Sequence, residues 1–234
     1  MALALRHELK YFIGKSQYLI LKSCLKGVLN VDPHAVKNGG EYAIRSLYFD
    51  TVFNDAYYDK LNGVKDRDKY RMRIYNGSTS EIFMECKTKV ESYISKRSVR
   101  IPRELADQLI SGDPSGLEFT QNGLLRDIFR EMRLRLLHPV VIVDYDREPF
   151  LHPAEEVRIT FDKNLRSGLN STDIFNSQIP TIPVMDEEMV ILEVKYNRAL
   201  PQYIADLISF ACPECVQTAI SKYTMCRRYE GMEA

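Results

Sequence analysis

The chain has 234 residues, 45% of them hydrophobic, which is enough for one large domain with a sizeable core. Its 32 Lys and Arg balance 32 Asp and Glu, so net charge gives no general signal for nucleic acid or a membrane surface. No apolar run approaches the length of a membrane span, and the opening MALALRHELK is too short and too soon charged for a secretory signal peptide, so a soluble, cytoplasmic protein is expected.

Five scattered cysteines fit reduced thiols. Cys212-Pro-Glu-Cys215 lacks the second pair or nearby His that a zinc site needs, and reads as structural. His7, His34, His138 and His152 form no ligand spacing.

In chain order, Arg6–Phe12 reads as a strand, and Ser16 as the cap of a helix running to Leu29. Leu19, Leu21, Leu25, Val28 and Leu29 supply that helix's apolar positions. Asn30–Gly40 is a loop of breakers, Tyr42–Asp50 a strand, and Thr51–Leu61 a short helix with Asn54 as its cap. Lys65–Lys69 reads as a solvated turn.

Tyr70–Lys89 then forms a hairpin about Asn76-Gly77-Ser78. Arg71 and Arg73 alternate with Met72 and Ile74; Glu85, Lys87 and Lys89 alternate with Met84, Cys86 and Thr88. Period-two alternation puts the charges on one face. Tyr93–Ile101 repeats it, with Lys96, Ser98 and Arg100 sharing a face. Helices are expected from Pro102 to Ile110 and from Gln121 to Leu137, the second stopped by His138-Pro139. Strands follow at 140–150, 157–165 and 190–196, around a long polar loop at 166–186. Two helices, 201–211 and 219–229, close the chain.

Helices with apolar stripes need the apolar sheet face. The charged face is then either solvated, as in an open sheet, or the lining of a curled one. Its content of Arg and Lys with a few Glu favours a lining that holds phosphates, with carboxylates for a hard cation such as Mg²⁺ or Mn²⁺. Arg158 shares a strand face with Asp162 and is also read as a possible internal ion pair; Glu193 and Lys195 are read as a possible pair along their strand.

Taken in order, Arg6-x-Glu8-x-Lys10-Tyr11, Arg71-x-Arg73, Glu85-x-Lys87, Tyr145-x-Arg147, Leu192-Glu193-Val194-Lys195 and Ser221-Lys222-Tyr223 resemble the VTC-type polyphosphate polymerase domain. That domain belongs to the triphosphate tunnel metalloenzymes, the wider group that includes the CYTH proteins. The resemblance covers nearly the whole chain. It implies an α+β fold, an antiparallel eight-stranded tunnel with a basic lumen and helices outside, formed by residues 1–234 as a single domain. It implies catalytic roles for Arg71, Arg73, Lys87 and Arg147. Substrate binding would fall to Lys10, Lys96, Arg158, Lys195 and Lys222, with alternation favouring Lys96 over Arg97. Glu193, with Glu8, would hold Mn²⁺ or Mg²⁺.

Many tunnel enzymes begin Glu-x-Glu-x-Lys; here Arg6 stands at the first Glu position, which fits the polymerase branch. The implied activity is metal-dependent transfer of the terminal phosphoryl group of a nucleoside triphosphate to a polyphosphate chain. The alternatives are a polyphosphate-binding sensor without turnover and a tripolyphosphate or nucleoside triphosphate hydrolase. No nucleic-acid partner is implied. Eukaryotic relatives work in membrane complexes, so a separate membrane partner is an option. Preferred nucleotide, metal and oligomeric state stay open.

Overall fold

The computed structural model describes residues 6–91, 93–154 and 156–231; the first five residues of the opening stretch discussed above lie outside them. In chain order the elements are β1 (His7–Gly14), α1 (Lys15–Lys26), β2 (Asn30–Val31), α2 (Pro33–Val36), β3 (Tyr42–Asp50), α3 (Asp55–Leu61), β4 (Arg67–Tyr75), β5 (Ile82–Val90) and β6 (Tyr93–Ile101). Then come α4 (Arg103–Ile110), a single tight turn at Ser115–Leu117, α5 (Gly123–Arg135), β7 (His138–Leu151), β8 (Arg158–Ser167), β9 (Ile182–Pro183), β10 (Met189–Tyr196), α6 (Gln202–Ala211) and α7 (Lys222–Arg228). The eight main strands follow the order β1-β10-β8-β7-β3-β4-β5-β6, with β2 beside β7 and β9 beside β8. The fold is therefore α+β with an eight-stranded antiparallel sheet, as expected.

The chain divides into two compact units, with cuts falling inside β3, β7 and β8. The first comprises the residues up to 43 together with 145–165 and 185–221. In it β10 lies between β1 and β8, so that Lys10 faces Glu193 and Glu193 faces Thr160. The alternate residues Ile13, Leu192, Val194, Ile159 and Phe161 form the apolar face. α1 covers that face with Tyr18, Leu21 and Leu25, and α6 with Ile204, Ile208 and Ala211. Spacings of three, four and seven put each set on one helical stripe.

The second unit comprises 44–144, 166–184 and 222–231. It holds the meander β3-β4-β5-β6. Asn76 and Gly77 both take positive φ, 50° and 68°, which turns the chain tightly enough to pair β4 with β5. Leu47, Met72, Ile74, Met84 and Cys86 make the apolar face, covered by Ala106 and Leu109 of α4 and by Leu124, Ile128 and Met132 of α5. Asn122 caps α5 by accepting from the amides of Leu124 and Leu125.

Several local expectations are corrected. Gly14, not Ser16, occupies the cap of α1, and the Gln17 side chain accepts its amide at 2.8 Å. Leu19 and Val28 are exposed because they lie off the stripe that meets the sheet. The 30–40 loop contains β2 and α2, and the 166–186 loop contains the end of β8 and then β9. Pro102 is the cap residue of α4 rather than a member of its first turn. Leu136, in the left-handed conformation and exposed, ends α5, so His138-Pro139 opens β7 instead of stopping a helix. α7 begins only at Lys222. All five cysteines are free thiols.

Asn54 occupies the cap of α3 but makes no capping bond with its side chain. Asp50 does that work from the end of β3. One carboxylate oxygen accepts the amides of Thr51 and Ala56, at 2.8 and 2.9 Å. The other accepts the Tyr57 amide at 3.1 Å and the Tyr223 hydroxyl of α7. One buried carboxylate thus ties β3, α3 and α7 together. Asp50→Ala is expected to cost on the order of 2–4 kcal/mol, the sum of a lost cap and an orphaned buried hydroxyl, read as a lower urea midpoint at unchanged slope.

Candidate functional site

The period-two pattern places charge opposite the helices in both units, and at the centre of each charged face a carboxylate is buried while Lys96 at the margin is exposed. In the second unit the centre is Glu85, 1% exposed. It lies directly between Arg71 and Ser98 in the strand register. Arg71 grips it through Nε at 2.8 Å and Nη2 at 2.7 Å. Lys96 Nζ reaches its other oxygen at 2.7 Å, and Arg73 Nη1 stands 3.7 Å away. Arg73 is held by its Nε donating to Ser46 Oγ at 3.0 Å. Burial alone would raise the Glu85 pKa; Arg71, Arg73 and Lys96 outweigh it and hold the carboxyl well below its usual range.

Lys96, not Arg97, belongs to this group: Arg97 turns to Asp127 of α5 at 2.5 Å. Lys87 stands between Lys69 and Lys96, a row of three lysines across three strands. Like charges so placed repel, which an anionic ligand would relieve. Lys69, expected in a solvated turn, is in β4 with its Nζ 4.9 Å from the centre of the Tyr223 ring. Lys222 is buried at the start of α7 and contributes its charge to the surroundings of the Tyr48 hydroxyl.

In the first unit the centre is Glu193, 3% exposed. Lys10 approaches one of its oxygens at 3.3 Å. Lys195 at 2.9 Å and Arg147 at 3.1 Å hold the other. Glu8 lies on the far side of the two lysines, 3.8 Å from Lys10 and 3.5 Å from Lys195. Lys10 also donates to the Ile220 carbonyl at 3.1 Å. Arg147 is bidentate to Asp162, at 2.6 and 2.7 Å. Burial opposes its charge, but Asp162, Tyr145 and Glu193 more than offset this and raise its pKa.

Arg158 does not join this group. Its Nη2 donates to Asp32 and to the Tyr42 hydroxyl, each at 2.9 Å, so the ion pair read for Arg158 and Asp162 is not formed. The pair of Glu193 with Lys195 is. Sequence reasoning missed Asp162 as the partner of Arg147, Glu85 as a hub, and Tyr48, although Ser46, Tyr48 and Asp50 keep the polar parity of β3.

Among the described residues no group of three or more His, Cys, Asp or Glu side chains is placed to hold a metal ion. Glu193 nevertheless supplies carboxylate oxygens opposite Thr160, whose buried hydroxyl has no hydrogen-bond partner among the described residues, and Glu8 adds a carboxylate beyond Lys10 and Lys195. That donor set fits a hard cation that takes one or two protein carboxylates and completes its shell with phosphate oxygens. It does not fit a resident metal held by protein alone.

Two solved structures share the fold at 12% identity. One is HpAC1 from Hippeastrum, described as an adenylyl cyclase candidate with a dominant triphosphatase activity (TM-score 0.57, 97% of this chain and 96% of that one). The other is an adenylate cyclase candidate from Bacillus halodurans (TM-score 0.56, 93% and 95%). At this identity the likenesses show a shared fold and nothing finer. Residues 5–229 match the VTC domain, and the chain belongs to that family.

Glu85→Gln is expected to cost about 3 kcal/mol at pH 7, because it leaves buried cations without their counter-charge. The folded-state pKa of Glu85 is depressed, so its contribution is complete above the unfolded value of about 4.3 and is lost as pH falls through the lower folded value. Urea titrations of both proteins should therefore show a gap that holds at neutral pH and closes only well below pH 4, about the ordinary carboxylate value.

Proposed function

We propose that this chain is a nucleotide-dependent polyphosphate polymerase, with residues 1–234 acting as one VTC-type domain. It would pass the terminal phosphoryl group of a nucleoside triphosphate to a polyphosphate chain. The observation that carries the reading is the state of the carboxylates on the charged faces. Glu85 is engaged by Arg71, Arg73 and Lys96; Glu193 by Lys10, Lys195 and Arg147; Asp162 by Arg147. Carboxylates held in this way are weak bases, and hydrolysis needs a base to activate water. A phosphate acceptor arrives already ionised and needs none.

In this reading Arg71, Arg73, Lys87 and Arg147 stabilise charge on the transferring group and the departing diphosphate. Lys10, Lys96, Lys195 and Lys222 bind phosphate oxygens. Arg158 has a weaker claim, since Asp32 and Tyr42 take its Nη2. Glu193 and Glu8 hold the Mn²⁺ or Mg²⁺ that accompanies the triphosphate. When bound, such an ion would supply charge neutralisation to the phosphates, with Glu193 and Glu8 as the residues that would hold it.

A triphosphatase is the second reading, favoured by the likeness in fold to the Hippeastrum protein and its described activity. No helix among the described residues is long and apolar enough to cross a membrane.

The test is incubation with ATP, Mn²⁺ and a short polyphosphate primer, with products resolved on a gel stained for polyphosphate. The expected result is a ladder that lengthens as ADP accumulates. Arg71→Ala should slow growth by about 10²-fold or more, the usual loss for one preorganised donor to the reacting group. Glu193→Ala should raise the metal concentration needed for half-maximal rate. Loss of ATP as orthophosphate without a ladder would establish the triphosphatase instead. Tight primer binding with no turnover would leave a sensing module.

A further inference from the structure

Tyr48 sits on β3 directly opposite Arg71, in the row that continues to Glu85 and Ser98. It is 8% exposed. Its ring stacks on that of Tyr223, centroids 5.1 Å apart and planes at 28°. Tyr223 is pinned by its hydroxyl to Asp50 and meets the Tyr57 ring edge-on. The Tyr48 ring therefore has little freedom to swing away.

Its hydroxyl oxygen accepts from Arg71 Nη1 at 3.1 Å. A phenol has one proton to give as well. Among the described residues no oxygen receives it: its one hydrogen bond is that from Arg71, Glu85 faces the guanidinium, and Arg73 and Lys222 add positive charge around the hydroxyl. Buried donors normally find acceptors, and one kept without an acceptor among three cations calls for an anionic oxygen from outside the chain.

We infer that the Tyr48 hydroxyl is a phosphate-binding group, donating to an oxygen of the same phosphate that Arg71 and Arg73 hold. The inference rests on the reading of this face as a polyphosphate site and adds to it a neutral donor. Arg71 orients the phenol by occupying its lone pair, which turns the proton toward the ligand. The contact is selective in a way the lysines are not. It needs an acceptor oxygen at one fixed point, whereas an ammonium attracts any nearby anion.

The test compares wild type with Tyr48→Phe, which keeps the ring and its stack. Binding of tripolyphosphate is measured by calorimetry, and folding by thermal melts. The expected result is an unchanged melt and affinity lower by about tenfold or more, the usual worth of a hydrogen bond to a charged group. If wild type binds and Tyr48→Phe binds equally well, this inference falls while the polyphosphate reading stands. If wild type binds no tripolyphosphate, that reading falls and takes the inference with it.

A second measurement covers the case in which the variant does not fold. Burial raises the Tyr48 pKa, but the neighbouring cations outweigh it and bring it below the usual tyrosine value, so in ultraviolet titration of wild type one phenol should ionise ahead of the rest. Bound tripolyphosphate should shift that ionisation to higher pH. No shift at saturating tripolyphosphate would overturn the inference.

Discussion

The structure depends on keeping charge out of water at a tolerable cost. Taking an ion from water into a protein interior costs several kcal/mol, and only close partners offset it. Here Arg73, Glu85, Arg147, Asp162, Glu193 and Lys222 are all buried. Each unit sets a buried carboxylate among several cations, Glu85 in one and Glu193 in the other, the latter joined by Asp162 on Arg147. The helices follow from the same requirement. With one sheet face given to charge, the other must carry the core, and α1, α6, α4 and α5 each present a stripe to it.

An arrangement of this kind is preorganised. The guanidinium and ammonium groups are already gathered and oriented, so in the proposed reading a phosphate ligand would exchange one set of anionic oxygens for another instead of collecting scattered side chains. The shared carboxylates keep the cations from repelling one another apart until that exchange occurs. Asp50 extends this order to α7, holding Tyr223 and with it the segment that carries Lys222.

The sequence showed most of the sheet because its strands have period two and charge marks one parity. That rule separated Lys96 from Arg97 correctly, since adjacent residues of a strand must point to opposite faces. Partners distant in sequence were not legible. Asp32, which binds Arg158, lies 126 positions away, and nothing local marks it. The caps misled for a related reason. Ser16 is a good cap residue by type, but Gly14 takes the position with Gln17 accepting its amide; Asn54 does take the cap of α3, while Asp50 supplies the bonds its side chain does not make. Tyr48 is not singled out within the strand Tyr42–Asp50; only its shared parity with Ser46 and Asp50 marks its hydroxyl as belonging to the polar face.

The division of the chain also orders its own assembly during synthesis. Residues 44–144 of the second unit are continuous, and the neighbours β3 to β6 are joined by short connections. They can pair as soon as they leave the ribosome, since local contacts close small loops. The first unit is drawn from three separate stretches. Its β1 waits for β10, with His7 pairing to Tyr196, so the Lys10–Glu193 contact closes only after most of the chain has been made. At about 5–20 residues per second, that leaves β1 as an unpaired strand for on the order of ten seconds or more. Throughout that interval its unpaired N–H and C=O groups are open to pairing with another chain.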